Sequence, residues 1–254
     1  MPVELVQFPK VSCYASNTKE VGHIYKEIFE DDCYSCMNLG QSPFIVDAGA
    51  NVGLFTLYMK QKYPASKILA FEPAPETYDV LCRNLQLHNL SDTKPYPFCL
   101  SSKEGTQKLT YFPNMPGNST LNPSEKEEQR KQTIEQFGEE AARYYFGGAC
   151  EVDVRLQRLS HFLYNEVGIT KIDLVKIDVE GAELEVLLGL NDVHWDLIQN
   201  IVLEIWEGSS TRLAIEDLLQ SKGFSFTCEG LSWAPESFFM IRASRAKEAI
   251  VQGE

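Results

Sequence analysis

Phe44-Ile45-Val46-Asp47-Ala48-Gly49-Ala50-Asn51-Val52-Gly53-Leu54-Phe55-Thr56 is the stretch that decides the fold. An apolar run enters a turn with two glycines and leaves it as a helix, the order of a buried strand feeding a ligand-binding turn. Glycines at 49 and 53 accept positive φ and a close approach of other atoms, and the helix start offers unpaired amides to a carboxylate or phosphate. The unit recurs: Ile68-Leu69-Ala70-Phe71 precedes a helix predicted over Pro75 to His88, as Phe44-Ile45-Val46 precedes one over Val52 to Gln61. Such repetition implies an α/β fold with a parallel sheet covered on both faces.

Outward from this unit, further strands are predicted at Tyr96 to Leu100, Asp173 to Val179, Ile201 to Trp206, Phe224 to Cys228 and Phe238 to Arg242, with helices at Glu183 to Leu188 and Thr211 to Lys222. That is a seven-stranded sheet. The last two strands are joined by too short a connection for a crossover helix, so they should pair antiparallel and make the sheet mixed at one edge. Residues 1–43, with a helix around Glu20 to Phe29, are expected to form an N-terminal cap on a domain spanning 44–254. An insertion at about 107–154 separates the third and fourth core strands. In it, Lys108 to Phe112 and Cys150 to Val154 look like extra strands around a helix over Ser124 to Phe146. Ser124 and Glu127 have capping-box spacing, and Ile134, Phe137, Ala141 and Tyr144 or Tyr145 recur as one apolar face. Such a helix either packs on the domain with its outer face solvated or covers a substrate pocket as a lid.

The chain has 254 residues, enough for one α/β domain with a cap, and 44% hydrophobic residues argue for a packed core. Its formal net charge of -13 disfavours a non-specific nucleic-acid binder and an anionic membrane surface, both of which call for a basic face. The start lacks the basic and apolar regions of a secretory signal, and no window approaches the ~18 apolar residues of a membrane span, so a cytoplasmic protein is expected. Seven scattered cysteines make no disulfide framework and are expected to be reduced. Cys33-Tyr34-Ser35-Cys36 has a chelating or redox spacing, but no second pair completes a zinc site.

The chemistry of the turn narrows the ligand. A dinucleotide fingerprint places glycine where this chain has Asn51, which disfavours NAD(P). Asp47 would repel a pyrophosphate but suits a cofactor bearing an ammonium and a sulfonium, such as S-adenosylmethionine. Glu72, at the end of the second strand, is placed to accept both ribose hydroxyls.

Asp47-Ala48-Gly49-Ala50-Asn51-Val52-Gly53, Phe71-Glu72-Pro73, Asn118-Ser119 and Lys176-Ile177-Asp178-Val179-Glu180-Gly181-Ala182-Glu183 together resemble the FkbM family of S-adenosylmethionine-dependent methyltransferases, over roughly residues 40 to 210. The resemblance implies a class I methyltransferase, Rossmann-like sheet with helices on both faces. It also implies O-methylation of a hydroxyl on a sugar, polyketide or peptide-like natural product, free or tethered to a carrier protein. It carries cofactor contacts onto Asp47, Gly49, Asn51, Gly53 and Glu72, with Ser101 or its neighbours near the adenine. The chain departs from the family at His161, where an aspartate often follows the leucine, and any role of that acid is open here.

The fourth core strand also speaks for itself, since it delivers Asp178 and Glu180 to the crevice where open α/β sheets bind ligands. Such carboxylates can hold the methionine portion of the cofactor, orient an acceptor or take its proton. The candidates for that base are Asp178, Glu180, Glu204 and His161, with Asp178 also a cofactor contact. Glu204 stands inside a strand expected to be buried, where an unpaired carboxylate is expensive. A divalent ion could draw on Asp178, Glu204 and Glu207, but no ligand spacing singles it out and none is expected. His23, Tyr25 and Tyr34 are expected to close one side of the crevice. Two competing functions use the same sheet: an NAD(P)-dependent oxidoreductase, and a non-catalytic cofactor-binding module in which the 124–146 helix is a docking surface.

Overall fold

A computed structural model describes residues 2–34 and 39–245. The chain opens with a hairpin, β1 (Glu4–Gln7) and β2 (Ser12–Ala15), followed by α1 (Thr18–Tyr25). Asn17 caps α1 by accepting from the amides of Lys19 and Glu20, and a π-helical turn over Lys26–Glu30 prolongs it. Val11, Cys13, Val21, Tyr25 and Phe29 are buried against the sheet face that also carries α2. Cys33 is free, while Cys36 of the Cys33-x-x-Cys36 spacing lies outside the described residues.

The repeating core follows as β3 (Phe44–Ala48), α2 (Leu54–Lys62), β4 (Lys67–Phe71), α3 (Pro75–Leu87) and β5 (Thr93–Tyr96). The strand predicted over Tyr96 to Leu100 is instead divided: its first residue ends β5, and Cys99–Leu100 forms β6 in a different sheet. Pro97, with no N–H to donate, cannot continue the ladder between them. In the insertion, β7 (Gly105–Tyr111) and β8 (Cys150–Gln157) pair antiparallel and, with β6 parallel to β8, make a three-stranded sheet.

Between them runs α4 (Pro123–Phe146), which departs from expectation twice. Its cap is Asn122 rather than Ser124: Asn122 Oδ1 accepts from the Glu125 amide and Nδ2 donates to the Glu125 carboxylate. Pro123 at the first helical position, with its φ already helical, sets that start. The predicted apolar stripe is not buried either, because Gly138 takes φ 85° and ψ 171° and breaks the helix, and Phe137 is 71% exposed.

The chain returns through α5 (Leu159–Tyr164), β9 (Leu174–Ile177), α6 (Glu183–Leu188), α7 (Asp192–Trp195), β10 (Asn200–Trp206), α8 (Arg212–Ser221), β11 (Phe224–Leu231) and β12 (Ala234–Arg245). The main sheet has seven strands in the order β11-β12-β10-β9-β3-β4-β5. Strands β10, β9, β3, β4 and β5 are mutually parallel, and β12 pairs antiparallel with both β10 and β11. Alternate residues serve two core layers, Val46, Leu69, Val175 and Leu203 on one face and Ile45, Ile68, Leu174 and Val202 on the other. The parallel strands therefore end together at Ala48, Phe71, Ile177 and Trp206, the edge where the chemistry gathers. Among the described residues no helix is long and apolar enough to cross a membrane.

Candidate active site

The glycine turn is fastened to the sheet by backbone bonds. The amides of Gly49 and Ala50 both donate to the Phe71 carbonyl, at 3.0 and 2.8 Å. Gly49, Asn51 and Gly53 adopt φ of 77°, 48° and 93°. What approaches the two glycines is protein: a Cβ at Gly49 would stand 1.8 Å from the Asp178 carbonyl oxygen, and one at Gly53 would stand 2.7 Å from Leu81 Cδ1.

Asp47 and Lys176 are register neighbours on β3 and β9. The Lys176 ammonium donates to the Gly49 carbonyl at 2.7 Å and lies 3.4 Å from a carboxylate oxygen of both Asp47 and Asp178. Burial pulls that ammonium down, and the two aspartates more than offset it, so its pKa is raised. Asp47 is fully buried, and its second oxygen accepts from Thr56 Oγ1 at 2.7 Å. It does not line the cavity, and the cation it faces is the protein's own Lys176.

Glu72 does face the cavity. Its two oxygens accept the amides of Ala74 and Asn51 at 2.9 and 3.0 Å, while burial lifts its pKa to about 7 against those bonds. Beyond it opens a cavity of about 1430 Å³ walled by the glycine turn, α1, α4, the 115–121 loop and the tip of the β11–β12 hairpin. Asp178, Glu180 and Glu204 all reach it. Glu180, at φ 56°, receives the Lys126 ammonium of α4 at 2.5 Å, and its carbonyl accepts from Thr120 Oγ1. Burial, with Asp178, Glu180 and Glu27 nearby, pushes Glu204 well above the carboxylate range.

Two expected residues stand apart. His161 is exposed on α5 with its ring against the edge of Phe162, and it does not line the cavity. It is the third residue of α5 and is turned to solvent. Ser101 is buried with its amide on the Gln157 carbonyl, and its neighbours Phe98, Cys99 and Leu100 line the cavity instead. Glu207 pairs with Arg212, and among the described residues no group of three His, Cys, Asp or Glu is arranged to hold a metal.

Four participants had no assigned role in the sequence: Lys176, Lys126, Glu20 and Glu27. A lysine inside the apolar run of β9 was a legible signal of a buried ion pair. The other three sit far along the chain from the strands that frame the cavity, and nothing local marks them. Glu20 and Glu27, on α1 and the π turn, line the cavity with pKa values raised to about 7, by burial first and by neighbouring carboxylates second.

This donor set fits the sulfonium nucleoside. The Glu72 carboxylate borders the cavity beside the turn, Asn51 Oδ1 is buried without a protein partner, and several carboxylates face the space where positive charge would lie.

Comparison with known proteins agrees. Residues 47–226 match the family model described as the methyltransferase FkbM domain. The chain is 53% identical to methyltransferase sdnD of Sordaria araneosa over 95% of this chain and 96% of that one. It is 30% identical to the 31-O-demethyl-FK506 methyltransferase FkbM of Streptomyces tacrolimicus, over 89% and 91%. A crystal structure of methyltransferase FkbM from Methylobacillus flagellatus superposes with a TM-score of 0.56 at 11% identity, over 86% of this chain and 47% of that one, which is a likeness of fold. The oxidoreductase and the non-catalytic module give way to these matches: the chain belongs to the FkbM family of S-adenosylmethionine-dependent methyltransferases.

Proposed function

We propose that the protein transfers a methyl group to a hydroxyl of a small-molecule or carrier-tethered natural product. The observation that carries this is the continuity of one cavity from Glu72 and the glycine turn to the acids at the ends of β9 and β10. The name of the Streptomyces tacrolimicus relative, which specifies an oxygen, supports the choice of atom.

The bound cofactor supplies an electrophilic methyl on a positively charged sulfur. Glu72 accepts the ribose hydroxyls, and Asn51 with the turn's backbone orients the nucleoside. The acceptor enters between α4 and the β11–β12 hairpin, whose Trp233 and Phe238 rings lie 4.8 Å apart at the cavity wall. Holding the hydroxyl in line is the larger contribution, since effective molarity alone supplies about 7 to 11 kcal/mol. Glu204 takes the hydroxyl proton: it lies half-buried beside Asp178 at the cavity wall, with its affinity for a proton raised.

The test is turnover with an acceptor panel, with products mapped by mass spectrometry. The expected result is one added methyl on oxygen, with Glu204→Gln lowering kcat by about 10² to 10⁴ while S-adenosylhomocysteine binds as in the wild type. Methylation on carbon or nitrogen contradicts the proposal, and so does an unimpaired Glu204→Gln.

A further inference from the structure

Lys176 neutralises Asp47 within the protein, so the charge that recognises a cationic cofactor has to come from another side chain. The carboxylates at the inner end of the cavity differ in what already occupies them. Both oxygens of Glu72 hold backbone amides, Glu180 holds Lys126, and Asp178 shares Lys176. Glu20 is 6% exposed, and one of its oxygens accepts the Gly117 amide at 2.6 Å. The charges acting on it are those of Glu180 and Glu72, both negative, and among the described residues it forms no ion pair. A carboxylate buried among carboxylates, with no cation, is an arrangement that costs stability until a positive charge arrives.

Its position is also built. Asn17, the cap of α1, donates through Nδ2 to the Asn114 carbonyl at 2.5 Å, tying the helix to the insertion loop. A Cβ at Gly117 would stand 2.9 Å from Glu20 Oε1 and 3.2 Å from Asn51 Nδ2, so both side-chain ends crowd this residue. The N-terminal helix, the insertion loop and the glycine turn therefore meet at one point on the cavity wall. Glu20 lies outside the residues 47–226 that match the family model.

We propose that Glu20 is a cofactor-binding residue whose carboxylate faces the positively charged portion of S-adenosylmethionine. The proposal rests on the assignment of this cavity to that cofactor.

Calorimetric titration at pH 8 separates the possibilities. Two ligands are used: S-adenosylmethionine, and 5′-methylthioadenosine, which keeps the nucleoside but lacks the sulfonium and the amino-acid group. Glu20→Gln retains an oxygen for the Gly117 amide and removes the charge. The expected result is S-adenosylmethionine weakened about tenfold, as for loss of one charge-assisted contact, with 5′-methylthioadenosine within about twofold of wild type and the ligand-free protein melting no lower. Unchanged S-adenosylmethionine binding overturns the proposal. So does an equal loss of both ligands or a lowered melting temperature, either of which makes Glu20 only a structural latch. Failure of the wild type to bind S-adenosylmethionine defeats the assignment of the cavity itself, an outcome distinct from these.

Discussion

The two ends of the cavity are built on opposite plans. At the inner end, β3, β4 and β9 hold a turn fixed by protein contacts: two amides on Phe71, a glycine against Asp178, and a lysine held by two carbonyls and two carboxylates. At the outer end, a broken helix and a hairpin tip face each other with Phe137 and Trp233 71% and 49% exposed. The glycine turn and its lysine are tightly bonded and cost stability to change. The outer end, formed by exposed residues of the insertion and the hairpin, should change at little cost to the fold.

That contrast makes Lys176→Met the most damaging change. It strands Asp47 fully buried beside no cation, and removing one partner of such a pair costs about 3 to 5 kcal/mol; chemical denaturation measures it. A loss below about 1 kcal/mol would break the comparison. Gly49→Ala comes next, at about 2 to 4 kcal/mol, from the left-handed backbone together with overpacking against Asp178.

The acids yield a prediction with opposing signs. Glu20, Glu27, Glu72 and Glu183 are lifted from an ordinary 4.5 to about 7, in each case mainly by burial. The native state therefore keeps protons that the unfolded chain has released. Stability from these groups is full below 4.5 and is lost as pH rises through about 7. The ligand-free protein should melt several degrees lower at pH 8 than at pH 5.5, while its affinity for S-adenosylmethionine rises over the same interval. Slopes of the same sign would contradict the account, and Glu27→Gln should flatten the stability slope.

The smallest structural effects belong to the outer end. Phe137→Ser and Trp233→Ala should each change stability by no more than about 0.5 kcal/mol and leave cofactor affinity alone, while raising KM for the acceptor. Steady-state kinetics with acceptor varied at saturating cofactor checks this, and a rise in cofactor KM instead would erase the distinction between the two ends.

The same division governs what the sequence discloses. Parallel strands buried on both faces leave continuous apolar runs, so β3, β4, β9 and β10 could be placed by inspection, as could the glycine turn and Glu72. Misplacements occur where one residue overrides a pattern. Pro97 cuts an apolar run into strands of two sheets, Pro123 moves a cap from Ser124 to Asn122, and Gly138 dissolves a helical stripe that looked ready to pack. Asp47 was recognised as important, but its partner is set by strand register, which links positions 47 and 176 only after folding. Glu20 and Lys126 are harder still, since their meaning comes entirely from where helices on the N-terminal segment and the insertion come to rest.

A crystal structure with S-adenosylhomocysteine is the most direct test of the central claim. The ribose hydroxyls should lie on the Glu72 carboxylate and the amino-acid end on the Glu20 side of the cavity, with Asp47 still bound to Lys176 and Thr56. A ligand lodged away from Glu72, or one drawing Asp47 out of its pairing, would contradict it.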